Sequence, residues 1–217
     1  MTDSSTTASA SADKATDRRR RDPEATRQAI LDAAETLFVE HGLDGTPTSR
    51  IARHAGVTKS LIHHHFGSKE ALWTEIKERH WAAYYALQKA MLQNTRGSAA
   101  LLEASIRAYF DFLRTHPDMV RIFSWRFAEE DHSSVTQEVE LFQLGVERIQ
   151  EAQEAGELRE DIDPTYVLKS FLALCLHWFQ SHGMTCSMFP PGDERASHDR
   201  YIQQIVGLIF DGIRAPD

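Results

Sequence analysis

Between Gly42 and Lys69 the chain is punctuated so closely that only short helices fit. Gly42 ends the segment before it, and Leu43-Asp44-Gly45 makes a turn. Thr46-Pro47 then offers a hydroxyl cap followed by a proline suited to a first helical position. Gly56, Thr58 and Gly67-Ser68 repeat the pattern, a glycine to leave one helix and a hydroxyl to start the next. The spacing predicts helices over Ser49–His54 and Lys59–His65, joined by Ala55-Gly56-Val57. Small Ala52 lets these two helices approach, the glycine permits the turn, and Val57 seals the corner. That arrangement is a helix-turn-helix.

Longer helices flank the pair. Asp22-Pro23-Glu24 opens the first, in which Ile30, Ala33, Ala34, Leu37, Phe38 and His41 share one face. Ser68 caps a long helix from Lys69 to about Asn94. Further helices are expected over Ala99–Thr115, from His116-Pro117-Asp118 to about Glu129, and from Ser133 or Ser134 to Gly156. Asp163-Pro164 starts an apolar helix to about His182, and a polar loop precedes the last helix, near Ser197 to Ile213. No segment alternates with period two, so the fold class is all-α. The longest dense apolar run, Phe171–Phe179, is roughly half of the about 20 residues a membrane span needs. No membrane contact is expected. The first 22 residues hold no hydrophobic stretch, which suggests a cytoplasmic protein. Cys175 and Cys186 make no disulfide framework and read as thiols, with a redox role for either left open.

Net charge is −8, which taken alone disfavours a nucleic-acid partner. Its distribution says otherwise, because residues 18–69 carry net +3 and residues 70–217 net −9. A basic head on an acidic body is oriented towards phosphate by that asymmetry. Residues 1–21 read as a disordered tail whose Arg18–Arg21 run is either a DNA arm or a solvated segment. Residues 22–68 form the helix-turn-helix domain and residues 69–217 a larger helical domain. In the head, Thr58, Lys59, Ser60, Leu61, His63 and His64 belong to the second helix of the pair, where base edges are read. Thr46, Arg50 and Lys69 supply hydroxyl and cationic partners for phosphate. His63-His64-His65 does not make a metal site, since successive helical residues point about 100° apart. No cofactor is expected.

The literal strings carry more. Ala34-Glu35-Thr36-Leu37-Phe38, Gly42, Thr46, Ile51-Ala52, Ala55-Gly56-Val57-Thr58 and His65-Phe66-Gly67-Ser68-Lys69-Glu70-Ala71-Leu72 together resemble the N-terminal domain of the TetR family of repressors. Ala155 to Pro164 is similar to the junction before the dimer-forming helix of that family. The resemblance implies a homodimer through the last two helices, double-stranded operator DNA as partner, and a C-terminal pocket whose small-molecule effector releases the DNA. The chain departs from the family at Pro47, Thr48 and Ser60, and His63 stands where a tyrosine usually contacts phosphate.

Aromatic residues concentrate after Lys69. Similar to family members, a pocket among the fourth to eighth helices is expected to be lined by Tyr85, Tyr109, Phe123, Phe127, Phe142, Phe171, His177 and Trp178, with Gln143 as a further polar group. Glu138, Glu140 and Glu147 either face that pocket or solvate the surface. The apolar helix after Pro164 calls for cover on two faces, one by the domain core and one by a symmetry mate. Two other classes stay open at this point, a helical adaptor that binds protein and an all-α enzyme. No catalytic grouping in the sequence favours the latter.

Overall fold

A computed structural model describes residues 23–133, 135–185 and 194–215. Among them run nine helices: α1 (Pro23–His41), α2 (Thr48–Ala55), α3 (Lys59–Phe66), α4 (Lys69–Gln93), α5 (Ala99–Thr115), α6 (Pro117–Ala128), α7 (Thr136–Glu154), α8 (Pro164–Thr185) and α9 (Glu194–Ile213). The only strand-like pairing among the described residues is one antiparallel bridge between Leu158 and Arg214. No described helix is long and apolar enough to cross a membrane. The Arg18–Arg21 run, Ser134 and Cys186 lie outside the described residues.

The chain divides into two compact units between Trp73 and Thr74. In the first, α1 buries Ile30, Ala33, Ala34, Leu37 and Phe38 against Ile51 and Ala52 of α2 and Ile62 of α3. The first turns of α4 belong to this core, because the Trp73 ring meets Phe38 edge-on at 5.2 Å. Gly56 takes the left-handed conformation at φ 64°, and Val57 N–H reaches back to Ala52 O at 2.9 Å. This closes the end of α2 while turning the chain into α3. Gly45 is required for closeness, since a Cβ there would sit 2.2 Å from His41 O. Ser68 starts α4 as expected, its Oγ accepting from Ala71 N–H at 3.0 Å.

In the second unit α5 packs most extensively on α8, and α7 joins them. Ser98 caps α5 through Leu101 N–H at 3.1 Å. Asp163 caps α8 through Thr165 N–H at 2.7 Å. The helix α7 begins at Thr136, later than Ser133, because Glu138 folds back to accept from Val135 N–H at 3.2 Å. The last helix starts at Glu194, earlier than Ser197. Tyr201 fixes α9 on α8 by stacking on Trp178 at 4.0 Å and donating to Leu174 O at 3.0 Å. A buried cation, Lys77, is matched by Asp131 at 3.0 Å and Ser133 Oγ at 2.6 Å.

Candidate nucleic-acid interface and ligand cavity

From Thr46 to Lys69 the sequence holds no aspartate or glutamate. On the folded head Lys59, Ser60, Leu61, His63 and His64 are exposed on α3, and Thr58 is exposed at its N-cap. Ile62 alone of α3 is buried and serves as its apolar anchor. Arg53 and His54 are exposed on α2, and Arg50 is half-buried. Among the described residues neither Arg50, Arg53 nor Lys59 is paired with a carboxylate. No side chain caps α2 or α3, so their first N–H groups remain open to an anion. Thr58 Oγ1 and Ser60 Oγ hydrogen-bond to each other at 2.9 Å, either hydroxyl being able to donate.

Two of the expected contacts change. Thr46 is 0% exposed, and its hydroxyl donates to Gly42 O at 2.7 Å and Leu37 O at 3.2 Å. It therefore ties the α1–α2 turn together and has no hydroxyl to offer DNA. Nor does it cap α2, whose N-cap position is Pro47. Lys69 donates to Leu43 O at 2.8 Å, which fixes the turn and leaves part of its ammonium for an anion.

The larger unit encloses a cavity of about 210 Å³ among α4 to α8. Tyr109, Phe123, Phe142 and Phe171 line it as expected. Four expected residues do not. Tyr85 lies on the α4 surface, bonded to Glu140 and Lys89. Phe127 is 88% exposed, on the outward side of a last turn of α6 whose inward Arg126 is bonded to Glu138. His177 is exposed on α8, and Trp178 is turned onto Tyr201 of α9. Gln143 is exposed as well. In their place stand Trp81, Tyr84, Gln88 and Leu92 of α4, Ser105 of α5 and Gly145 of α7. The α4 set was legible, since Trp73, Lys77, Trp81, Tyr84, Gln88 and Leu92 recur at helical spacing and Tyr85 falls off that line.

Glu138 also faces the cavity, whereas Glu140 pairs with Lys89 at 2.7 Å and Glu147 is exposed. Its carboxylate accepts from Trp81 Nε1 at 2.7 Å, from Arg126 Nη1 at 2.5 Å and Nη2 at 3.3 Å, and from Val135 N–H. Those four donors occupy its lone pairs and neutralise its charge, so it buttresses the wall and attracts no cation. Gln88 and Ser105 likewise satisfy each other, Ser105 Oγ donating to Gln88 Oε1 at 3.0 Å and Gln88 Nε2 to Ser105 O at 3.2 Å. The Tyr109 hydroxyl has no hydrogen-bond partner among the described residues. Burial, then the nearby Cys175 and Glu138, raise its pKa far beyond the ordinary phenol value, so it stays a neutral donor.

This pairing of an acid-free helix-turn-helix with a helical, cavity-bearing second unit is matched by two family profiles. Residues 30–76 match the bacterial regulatory proteins of the tetR family, and residues 102–207 the tetracyclin repressor-like C-terminal domain. The chain belongs to the TetR family. Its TetR-family relatives include the HTH-type transcriptional repressor SCO4008 of Streptomyces coelicolor, 28% identical over 164 residues that cover 73% of this chain and 80% of the relative. The repressor KstR2 of Rhodococcus jostii is 24% identical over 198 residues, covering 88% of this chain and 92% of its own length. Among solved TetR-family folds, AibR in complex with isovaleryl coenzyme A and operator DNA superposes with a TM-score of 0.63 at 21% identity, covering 85% of this chain and 98% of that one.

Proposed function

We propose that this TetR-family chain is a homodimeric repressor that reads double-stranded operator DNA with α3 and lets go when a compact, largely apolar molecule enters the α4–α8 cavity. The observation that carries the reading is the acid-free, unpaired cationic face of α2 and α3. Lys59, Ser60, Leu61, His63 and His64 meet base edges, while Arg50, Thr58 and Lys69 meet phosphates. Such a protein works in the cytoplasm and releases its effector unchanged.

The cavity supports a class of effector. Its volume of about 210 Å³ exceeds the roughly 150 Å³ that accommodates benzene. A single substituted ring or a short branched acyl group fits the aromatic box of Trp81, Tyr84, Phe123, Phe142 and Phe171. One polar atom of that molecule bonds the Tyr109 hydroxyl. With Glu138 already neutralised, no positive charge on the effector is required. Coupling runs through α4, a single helix that begins with Lys69 in the head and lines the cavity with Trp81, Tyr84, Gln88 and Leu92. An effector acts only through unequal affinity for the DNA-bound and free states.

The dimer uses the outer faces of α8 and α9. There Tyr166, Ala173, His177 and Gln180 on α8, and Gly207 and Leu208 on α9, are exposed. An added Cβ at Gly207 meets nothing within 4 Å in the protomer, so the small residue serves an approach from outside. Selection of genomic fragments by the purified protein tests the proposal. It predicts a two-fold symmetric motif, released by single-ring or short acyl compounds. Recovery of fragments with no common motif would count against it.

A further inference from the structure

Away from the head and the cavity, the end of α8 and the start of α9 bring three metal-ligating side chains together. His182 stands in the final turns of α8. Glu194 and His198 are four residues apart at the start of α9 and so share one helix face. One ligand atom from each of the three lies within 4.8 Å of the other two. Glu194 Oε1 is 4.0 Å from His182 Nε2, and the two imidazole rings are 5.2 Å apart.

The histidines are not satisfied by their surroundings. His198 is 8% exposed, and its Nε2 is buried with no hydrogen-bond partner among the described residues. His182 Nδ1 is in the same condition. Aromatic rings enclose His198, with Phe179 at 5.2 Å, Trp178 at 6.0 Å and Phe110 at 6.3 Å. Burial and the adjacent His182 lower the His198 pKa, with Arg114 adding to that effect and Glu194 and Asp199 opposing it.

We propose that His182, Glu194 and His198 form a three-ligand site for a divalent transition-metal ion of the zinc class, clamping the start of α9 to the end of α8. Two imidazoles and one carboxylate, with a fourth position for water, suit zinc. Calcium and magnesium call for shells of six or more oxygens, which this nitrogen-rich group does not supply. Bonds of about 2.0–2.2 Å require ligand atoms roughly 3.4 Å apart in a tetrahedron. Glu194, whose side chain is 73% exposed, has room to move in from its 4.0 Å distance to His182. The inference stands independently of the operator and the effector.

The test uses the full chain without an affinity tag, stripped with chelator and titrated with zinc chloride by calorimetry, with thermal unfolding measured alongside. The expected result is one zinc per chain and a higher unfolding midpoint. Glu194→Gln alters an exposed side chain, leaves the metal-free midpoint unchanged and weakens zinc. His182→Gln weakens it too. Each loss exceeds the roughly 10-fold typical of disturbing even an outer-shell partner. A His63→Ala/His64→Ala variant keeps parental affinity. Failure to bind zinc, parental affinity in both Glu194→Gln and His182→Gln, or loss of binding in the His63→Ala/His64→Ala variant would each overturn the site.

Discussion

Thr46 shows how one hydroxyl divides structure from recognition. It is buried, and it donates to two backbone oxygens at the turn that sets α2. Thr46→Val keeps the volume but strands both acceptors, at an expected cost of about 1–2 kcal/mol in denaturant unfolding. Operator affinity of the folded protein should be unchanged, as a phosphate ligand in the same place would not allow. Cys175 is a second case. Burial pushes its thiol up to about 12, so it is protonated at neutral pH. A disulfide reagent at pH 8 should leave Cys175 unmodified in the folded protein and label it promptly in denaturant. In the cavity, Tyr109→Phe removes a hydroxyl that no described residue occupies and that is open to an effector. Thermal-shift titration with a polar effector should show binding weaker by roughly 2- to 10-fold, with operator affinity retained.

At the scale of the element, helices were legible wherever their ends carry chemistry. Ser98, Asp163 and Ser68 each cap the helix that follows, and Gly56 turns α2 into α3. Starts were missed where the cap is not a local hydroxyl. Glu138 reaching back to Val135 N–H sets the start of α7, and the preceding serine gave no hint of it. The cavity was half legible for a related reason. Sequence spacing gives the inward line of α4, but which side of α6 faces out at Phe127, or which neighbour claims Trp178, depends on tertiary packing alone. Glu70 opens α4, and its own backbone N–H, then Ser68, holds its carboxyl below the ordinary 4.5. A folded pKa below the unfolded one means that this contribution is complete above about pH 4.5 and is lost as pH falls through the folded value. Glu70→Gln should flatten that part of the acid limb in thermal unfolding between pH 3 and 6.

For the whole molecule, two-fold symmetry is what turns a short recognition helix into a specific reader. Two heads engage successive major grooves only when their spacing matches about 34 Å or a multiple of it. The dimer proposed on α8 and α9 can be separated from the fold, because the protomer has open space at Gly207. Gly207→Glu should yield folded monomers by sedimentation, with operator binding reduced by more than about 100-fold through loss of the second half-site. The central claim, that α3 lies in a DNA groove, is tested most directly by fluorescence anisotropy. The probe is the selected operator, titrated with the parent, Lys59→Ala and His63→Ala over a range of salt. The parent should lose affinity steeply with salt, Lys59→Ala should bind more weakly with its log–log slope reduced by about 1 per subunit, and His63→Ala should also bind more weakly. Parental affinity and an unchanged slope in both variants would contradict the account.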